Sequence, residues 1–225
     1  MGNKIFFTIV IGILLYTRFV GLDWGLPYPM HPDERNMANA VQQLHCEISS
    51  RPNRNQISNC FNPHFYAYGQ FPLYLSYFGI QTAHILSGVG KEITFEEATM
   101  TLRMISAMAS ILNVFVLLKI IMFFISKLKS QRSKPHLKGQ NLNKFLNLSC
   151  RFEFCTLNFE LMIGFLLFIF SPYFIQFSHF GTTESLLMLF YSLIVYGSLK
   201  MMSSPTPRYY FFLAVICGLA IATKV

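Results

Sequence analysis

Residues Gly21 to Arg35 read GLDWGLPYPMHPDER, and the placement of every later segment depends on this stretch. It follows an apolar run from Ile5 to Leu22. Pro27, Pro29 and Pro32, together with Gly21, Gly25, Trp24 and Tyr28, keep regular helix away as far as Pro32. A new helix opens there, because proline suits a first helical position, where its missing N–H has no partner to lose. Asp33 and Glu34 fall in the first turn, where acids complement the positive end of the helix dipole. First-turn acids are common, so the pair has two readings at this point: a helix start, or chemistry.

The composition is that of a membrane protein. Of 225 residues, 53% are hydrophobic and 12% charged, against roughly 25% charged in a soluble domain. Mean hydropathy is +0.42, and there are 24 Phe and 11 Tyr. The net charge is +8, but seven of the 18 Lys and Arg lie between Lys127 and Arg151. This stretch separates two apolar spans and has the bias of a cytoplasmic loop rather than a nucleic-acid surface. No nucleic-acid partner is expected. The five cysteines form no metal-binding pattern. Cys150 and Cys155 lack close pairing and His partners, and Cys217 lies in a span; Cys46 and Cys60 are open to a disulfide or to two free thiols. The N-terminal run lacks a small-residue cleavage site and reads as a retained anchor with its N-terminus inside.

Five spans are expected, at 5–22, 102–124, 158–177, 185–200 and 209–225, each near the roughly 20 residues that cross hydrocarbon. Arg18 is expected to snorkel from the outer end of the first, and Pro172 to kink the third. From Asp33 to Ile48, Met37, Ala40, Val41, Leu44 and Ile48 share one face, which predicts an amphipathic helix on the membrane surface. The segment Tyr66 to Val89 is apolar but interrupted by Gly69, Pro72, Gly79, Gln70, Gln81 and His84. If it crossed, the basic loop 127–157 would be outside; an interfacial placement keeps that loop inside. The predicted fold is therefore all-α and polytopic, with a long external loop, 23–101, carrying surface helices. This topology gathers Asp33, Glu34, Arg103, His179, Glu184 and Lys224 at the outer face. Ionisable groups at membrane depth are costly and point to function, although residues near span ends are also polar because headgroups are wet, and Thr183 can start a helix with Glu184 as its first-turn acid.

Five pieces, in order, resemble the N-terminal half of the GT-C glycosyltransferases, multi-pass enzymes that use polyprenyl-phosphate sugars. They are GLPYPMHPDE (Gly25 to Glu34), NPHFYAYGQFPLYL (Asn62 to Leu75), LRMISAMASILNVFVL (Leu102 to Leu117), FSPYFIQFSHFGTTESLLMLFYSL (Phe170 to Leu193) and GLAIATK (Gly218 to Lys224). The likeness is greatest to bacterial members similar to protein O-mannosyltransferases and the aminoarabinose transferase. It implies a plasma-membrane enzyme with an extracytoplasmic active site. Asp33 matches the first-loop catalytic aspartate, Glu34 completes the acidic pair, and Glu184 with His179 matches the second external acidic site. Arg103 and Lys224 would face the donor phosphate. Family members are usually about twice this length, so the resemblance implies a partial GT-C domain, inactive on its own, with further spans beyond it.

The implied reaction attacks a lipid-phosphate sugar at its anomeric carbon with inversion. It needs a base near the acceptor, typically worth 10²–10⁴-fold, and positive charge near the departing phosphate. Asp33 is the candidate base. Asp33, Glu34 and Glu184 are alternatively an oxygen-ligand set suited to Mg²⁺ or Mn²⁺, and no metal is assigned. His31 and His64 adjoin the motifs, as substrate ligands or structural groups. Tyr66 and Tyr68 either stack on sugar or sit in the headgroup belt. The acceptor is open among protein, lipid and glycan. The rival readings are a transporter, which would put charges near the midplane and broken helices in two matching halves, and a non-catalytic lipid-binding or assembly protein.

Overall fold

The computed structural model describes residues 2–29, 31–44, 62–88, 92–132 and 162–224. Regular structure among them is entirely helical. The helices are α1 (Gly2–Phe19), α2 (Pro32–Gln42), α3 (Phe71–Ser87), α4 (Phe95–Arg132), α5 (162–169), α6 (Pro172–Ser178), α7 (Glu184–Ser203) and α8 (Pro207–Lys224). Cys46, Cys60, Ile48, the loop 49–61 and the basic stretch from 133 to 157 lie outside the described residues.

Helix α4 is the post around which the others pack. Each of three apolar clusters contains part of it. Its start, with Ala98 and Leu102, meets Met37, Val41 and Leu44 of the α2 segment and Leu73, Tyr77 and Ile80 of α3. Its middle, with Ile111 and Val114, meets Val10 and Leu14 of α1 and Phe165 and Ile169 of α5. Ala109, on another face, meets Leu186, Leu189 and Phe190 of α7 and Ile216 of α8. Among the described residues, two helices are long and apolar enough to cross a bilayer: α4 over Phe95–Lys127 and α7 over Glu184–Ser203.

Several expectations change in detail. The second span is the middle of a much longer helix, which begins at Phe95 and continues to Arg132, into the basic stretch. The apolar face of α2 does not await a lipid surface, because Met37 and Val41 are fully buried against protein. Arg18 does not snorkel either. It is fully buried, and it donates from Nε to Ser110 Oγ at 3.0 Å and from Nη2 to the Ile169 carbonyl at 3.2 Å. The reason lies in the third span, which Pro172 breaks rather than kinks. Ser171 is extended, as a residue before proline prefers, so the last carbonyls of α5 lose their helical partners, and the Arg18 guanidinium supplies one.

A polar seam runs down α4 within its apolar surroundings. Thr99, Arg103, Ser106, Ser110 and Asn113 are all buried and recur at alternating steps of four and three, one helical face. Ser106 Oγ donates to the Thr182 carbonyl and Ser110 Oγ to the Phe174 carbonyl, both at 3.3 Å. Bonds of this kind tie α4 to the loop before α7 and to α6, where apolar burial alone discriminates little.

Candidate active site

The two adjacent acids at the start of α2 have separate surroundings. Glu34 is fully buried and receives a two-pronged contact from Arg103: Nε at 2.6 Å to Oε1 and Nη2 at 2.8 Å to Oε2. The Gly181 N–H donates to Oε1 as well, at 2.7 Å. The remaining Arg103 nitrogen, Nη1, donates to the carbonyls of Leu22 and Trp24, at 2.6 and 2.8 Å. One ion pair thus joins α2, α4, the loop after α1 and the loop before α7. Gly181 permits this closeness, since a Cβ there would lie 2.7 Å from Leu102 Cβ. Trp24 closes the assembly. The guanidinium carbon lies 5.5 Å from its ring centre, and Phe180 sits edge-on to it at 5.7 Å.

Asp33, only partly buried, faces another set of groups. Its carboxylate lies close enough to act on the Tyr68 phenol. The Tyr68 ring lies under the Lys224 ammonium, 5.6 Å from Nζ to the ring centre, and Lys224 Nζ is 3.5 Å from Glu184 Oε1. Asp33, Tyr68, Glu184 and Lys224, two carboxylates, one phenol and one ammonium from four segments, therefore lie in one region. The segment 62–70 can reach Lys224 because of Gly69: a Cβ there would lie 2.2 Å from the Ala222 carbonyl oxygen, so only glycine lets this strip of backbone rest on the end of α8. The phenol is harder to ionise than an ordinary tyrosine. The Asp33 carboxylate is the largest cause, followed by burial and the negative charge of Glu184.

The other candidates are placed differently. Arg103 has all three guanidinium nitrogens engaged by Glu34 and backbone carbonyls, so in this arrangement it braces the site instead of facing a phosphate. His179 is also engaged on both ring nitrogens, with Nδ1 2.8 Å from the Ile175 carbonyl and Nε2 3.0 Å from the Val20 carbonyl. His31 packs on Phe180 with ring centres 4.9 Å apart. Its buried Nδ1 has no protein partner, nor do Thr182 Oγ1 and Glu184 Oε2. His64 and Tyr66 are exposed and turn back on Asn62, whose Oδ1 accepts from the His64 N–H and the Tyr66 hydroxyl. Among the described residues no group of three His, Cys, Asp or Glu side chains is arranged to hold a metal ion. With Glu34 committed to Arg103, the three-acid ligand set considered from the sequence is not assembled here.

Some contributors were not singled out from the sequence: the close approaches of Gly69 and Gly181, the two backbone carbonyls on Arg103, and Thr182. Only the seam on α4 has a sequence signal, its four-and-three spacing.

No protein-family model matches the chain, no curated protein matches it, and no solved structure matches it.

Proposed function

We propose that this chain acts as a GT-C-type membrane glycosyltransferase, moving a hexose, with mannose the first candidate, from a polyprenyl phosphate to an acceptor on the extracytoplasmic side of the plasma membrane. The observation that carries the reading is the meeting of Asp33, Tyr68, Glu184 and Lys224. Residues scattered from position 33 to position 224 place carboxylate and ammonium within one small region. Four ionisable or polar groups brought together by helix ends are expensive to maintain without a task.

In the proposed reaction an acceptor hydroxyl or amine attacks the anomeric carbon from the face opposite the phosphate. The new bond to the acceptor forms as the bond from that carbon to the phosphate oxygen breaks. Asp33 takes the acceptor's proton. The polyprenyl phosphate leaves with the bonding electron pair, and Lys224 offsets the charge it gains. Glu184 holds Lys224 until the donor arrives. The Glu34–Arg103 pair, neutral as a unit, braces the start of α2 and so aims Asp33. A multi-pass arrangement with the basic stretch inside puts the site outside, at the end shared by Asp33, Glu184 and Lys224, and leaves α3 in the interface.

The test is transfer from a panel of labelled polyprenyl-phosphate sugars by the full-length protein in membranes, comparing the parent with Lys224→Met. Transfer from one donor, with catalytic efficiency lower by about 10–100-fold in the variant, is the expected result for losing a charge-assisted contact to phosphate. Transfer from no donor, or parental kinetics in Lys224→Met, would overturn the proposal.

A further inference from the structure

Far from the candidate active site, the ends of α4 and α7 carry the same pattern. In α4, Phe123 stands one turn before Lys127, and in α7, Tyr196 stands one turn before Lys200. The two pairs meet. The Lys127 ammonium lies 5.1 Å from the centre of the Phe123 ring, and the Lys200 ammonium, from the neighbouring helix, lies 5.6 Å from the centre of the same ring. Lys200 is also 5.8 Å from the centre of the Tyr196 ring. One aromatic ring thus has two ammonium groups within the reach of a cation–π contact. From Ala98 to Arg132, and from Ser185 to Lys224, the sequence contains no Asp or Glu. Among the described residues neither lysine has an ion-pair partner.

We propose that Lys127 and Lys200 form a headgroup site for an anionic phospholipid, with the Phe123 and Tyr196 rings one turn nearer the hydrocarbon. The site needs α4 and α7 to cross the bilayer; it does not need the chain to transfer sugar. Charge and depth select the occupant. Two ammoniums on one ring repel each other, and the negative ring face offsets part of that cost without supplying a counter-charge. A phosphate supplies it, in charge-assisted contacts that lysine makes as a point charge. Both lysines end candidate spans: Lys127 is the last residue of one, and Lys200 lies in the last turn of the other. Ammoniums and aromatic rings at that level belong to the headgroup region, where phospholipid phosphates are held. In the orientation proposed above these ends face the cytoplasm, whose leaflet carries the anionic lipids. A zwitterionic headgroup brings its own cation and so gives the lysine pair less.

Two measurements on the full-length protein test it. In the first, the protein in detergent is titrated with phosphatidylglycerol and, separately, with phosphatidylcholine, and lipid-bound species are counted by native mass spectrometry. The first phosphatidylglycerol should bind about tenfold or more tighter than phosphatidylcholine. Lys127→Gln and Lys200→Gln should each weaken it about fivefold, the worth of one lysine near an anionic surface, and leave phosphatidylcholine binding unchanged. The double variant Lys127→Arg with Lys200→Arg keeps the charge and should bind as the parent does. Equal affinity for the two lipids, or parental phosphatidylglycerol affinity when both lysines are replaced by Gln, would overturn the proposal. The basic stretch 133–157 also attracts anions, so the second measurement locates the lipid on the parent protein with a photoactivatable phosphatidylglycerol. Label within 119–127 and 196–203, displaced by excess phosphatidylglycerol but not by phosphatidylcholine, is the expected result. Label confined to other residues would overturn the site, and this outcome decides the matter even where the Gln variants fail to fold.

Discussion

Successive residues on a helix point about 100° apart, and at the start of α2 that angle sends Glu34 into the protein and leaves Asp33 partly open. The two carboxylates therefore answer differently to the same loss of charge. Removing one partner of a buried ion pair leaves the other charge uncompensated and typically costs 3–5 kcal/mol. Glu34→Gln and Arg103→Met should each lower the melting temperature in detergent by on the order of 10 °C. Asp33→Asn, at a partly exposed position, should shift it by no more than about 2 °C. Equal melting of all three would mean that the acids do not divide their roles in this way. The sequence made the two acids visible, and the resemblance implied a catalytic role for both, but neither distinguished their environments. Glu34 is set apart by Arg103 and Gly181, 69 and 147 positions away along the chain, and no local pattern encodes such a meeting.

At the scale of elements, the site depends on helix ends abutting backbone to backbone. Gly69 is where the segment 62–70 lands on α8, and the Ala222 carbonyl is too close to admit a side chain. Gly69→Ala should force the two apart, at a cost of about 1–3 kcal/mol for overpacking, and carry Tyr68 away from Lys224. Both a lower melting temperature and a loss of transfer are expected. Gly79→Ala is the control: its Cβ would meet Thr101 Cγ2 at an ordinary 3.5 Å, and alanine favours helix there, so melting should hold or rise. A Gly69→Ala protein as stable and active as the parent would show that this contact does not organise the site. Helix positions were largely legible from apolar runs and prolines. The break at Pro172 and the buried Arg18 were not, because each explains the other: proline frees carbonyls, and a guanidinium 151 positions away takes one of them up. The long, uniformly apolar look of α4 also hid its seam, whose serines stand out only when counted along one face.

Across the whole molecule, α4 sets the scale. Its candidate span, Phe95–Lys127, has 33 residues, or about 50 Å of helix, which exceeds the roughly 30 Å hydrocarbon thickness. In the proposed orientation its two ends emerge on opposite sides, with Thr94 outside and Lys127 inside. In oriented vesicles, Thr94→Cys should react with an impermeant maleimide added externally, and Lys127→Cys only after permeabilisation. The reverse pattern would put the acids on the cytoplasmic side. The all-helical architecture was readable from composition and periodicity, and the meeting of acids and cations at one end followed from the order of the spans. Which cation meets which acid was not readable: Arg103 went to Glu34 and Lys224 to Glu184, pairings set by the packing of α2 against α4 and of α7 against α8. Of the two acids at the start of α2, Asp33 is the one proposed to do chemistry. The most direct measurement is the rate of sugar transfer from the polyprenyl-phosphate donor by Asp33→Asn, in membranes containing the same amount of folded protein as the parent. A fall of at least about 100-fold, the usual worth of a positioned base, is the result predicted; transfer at the parental rate would contradict it.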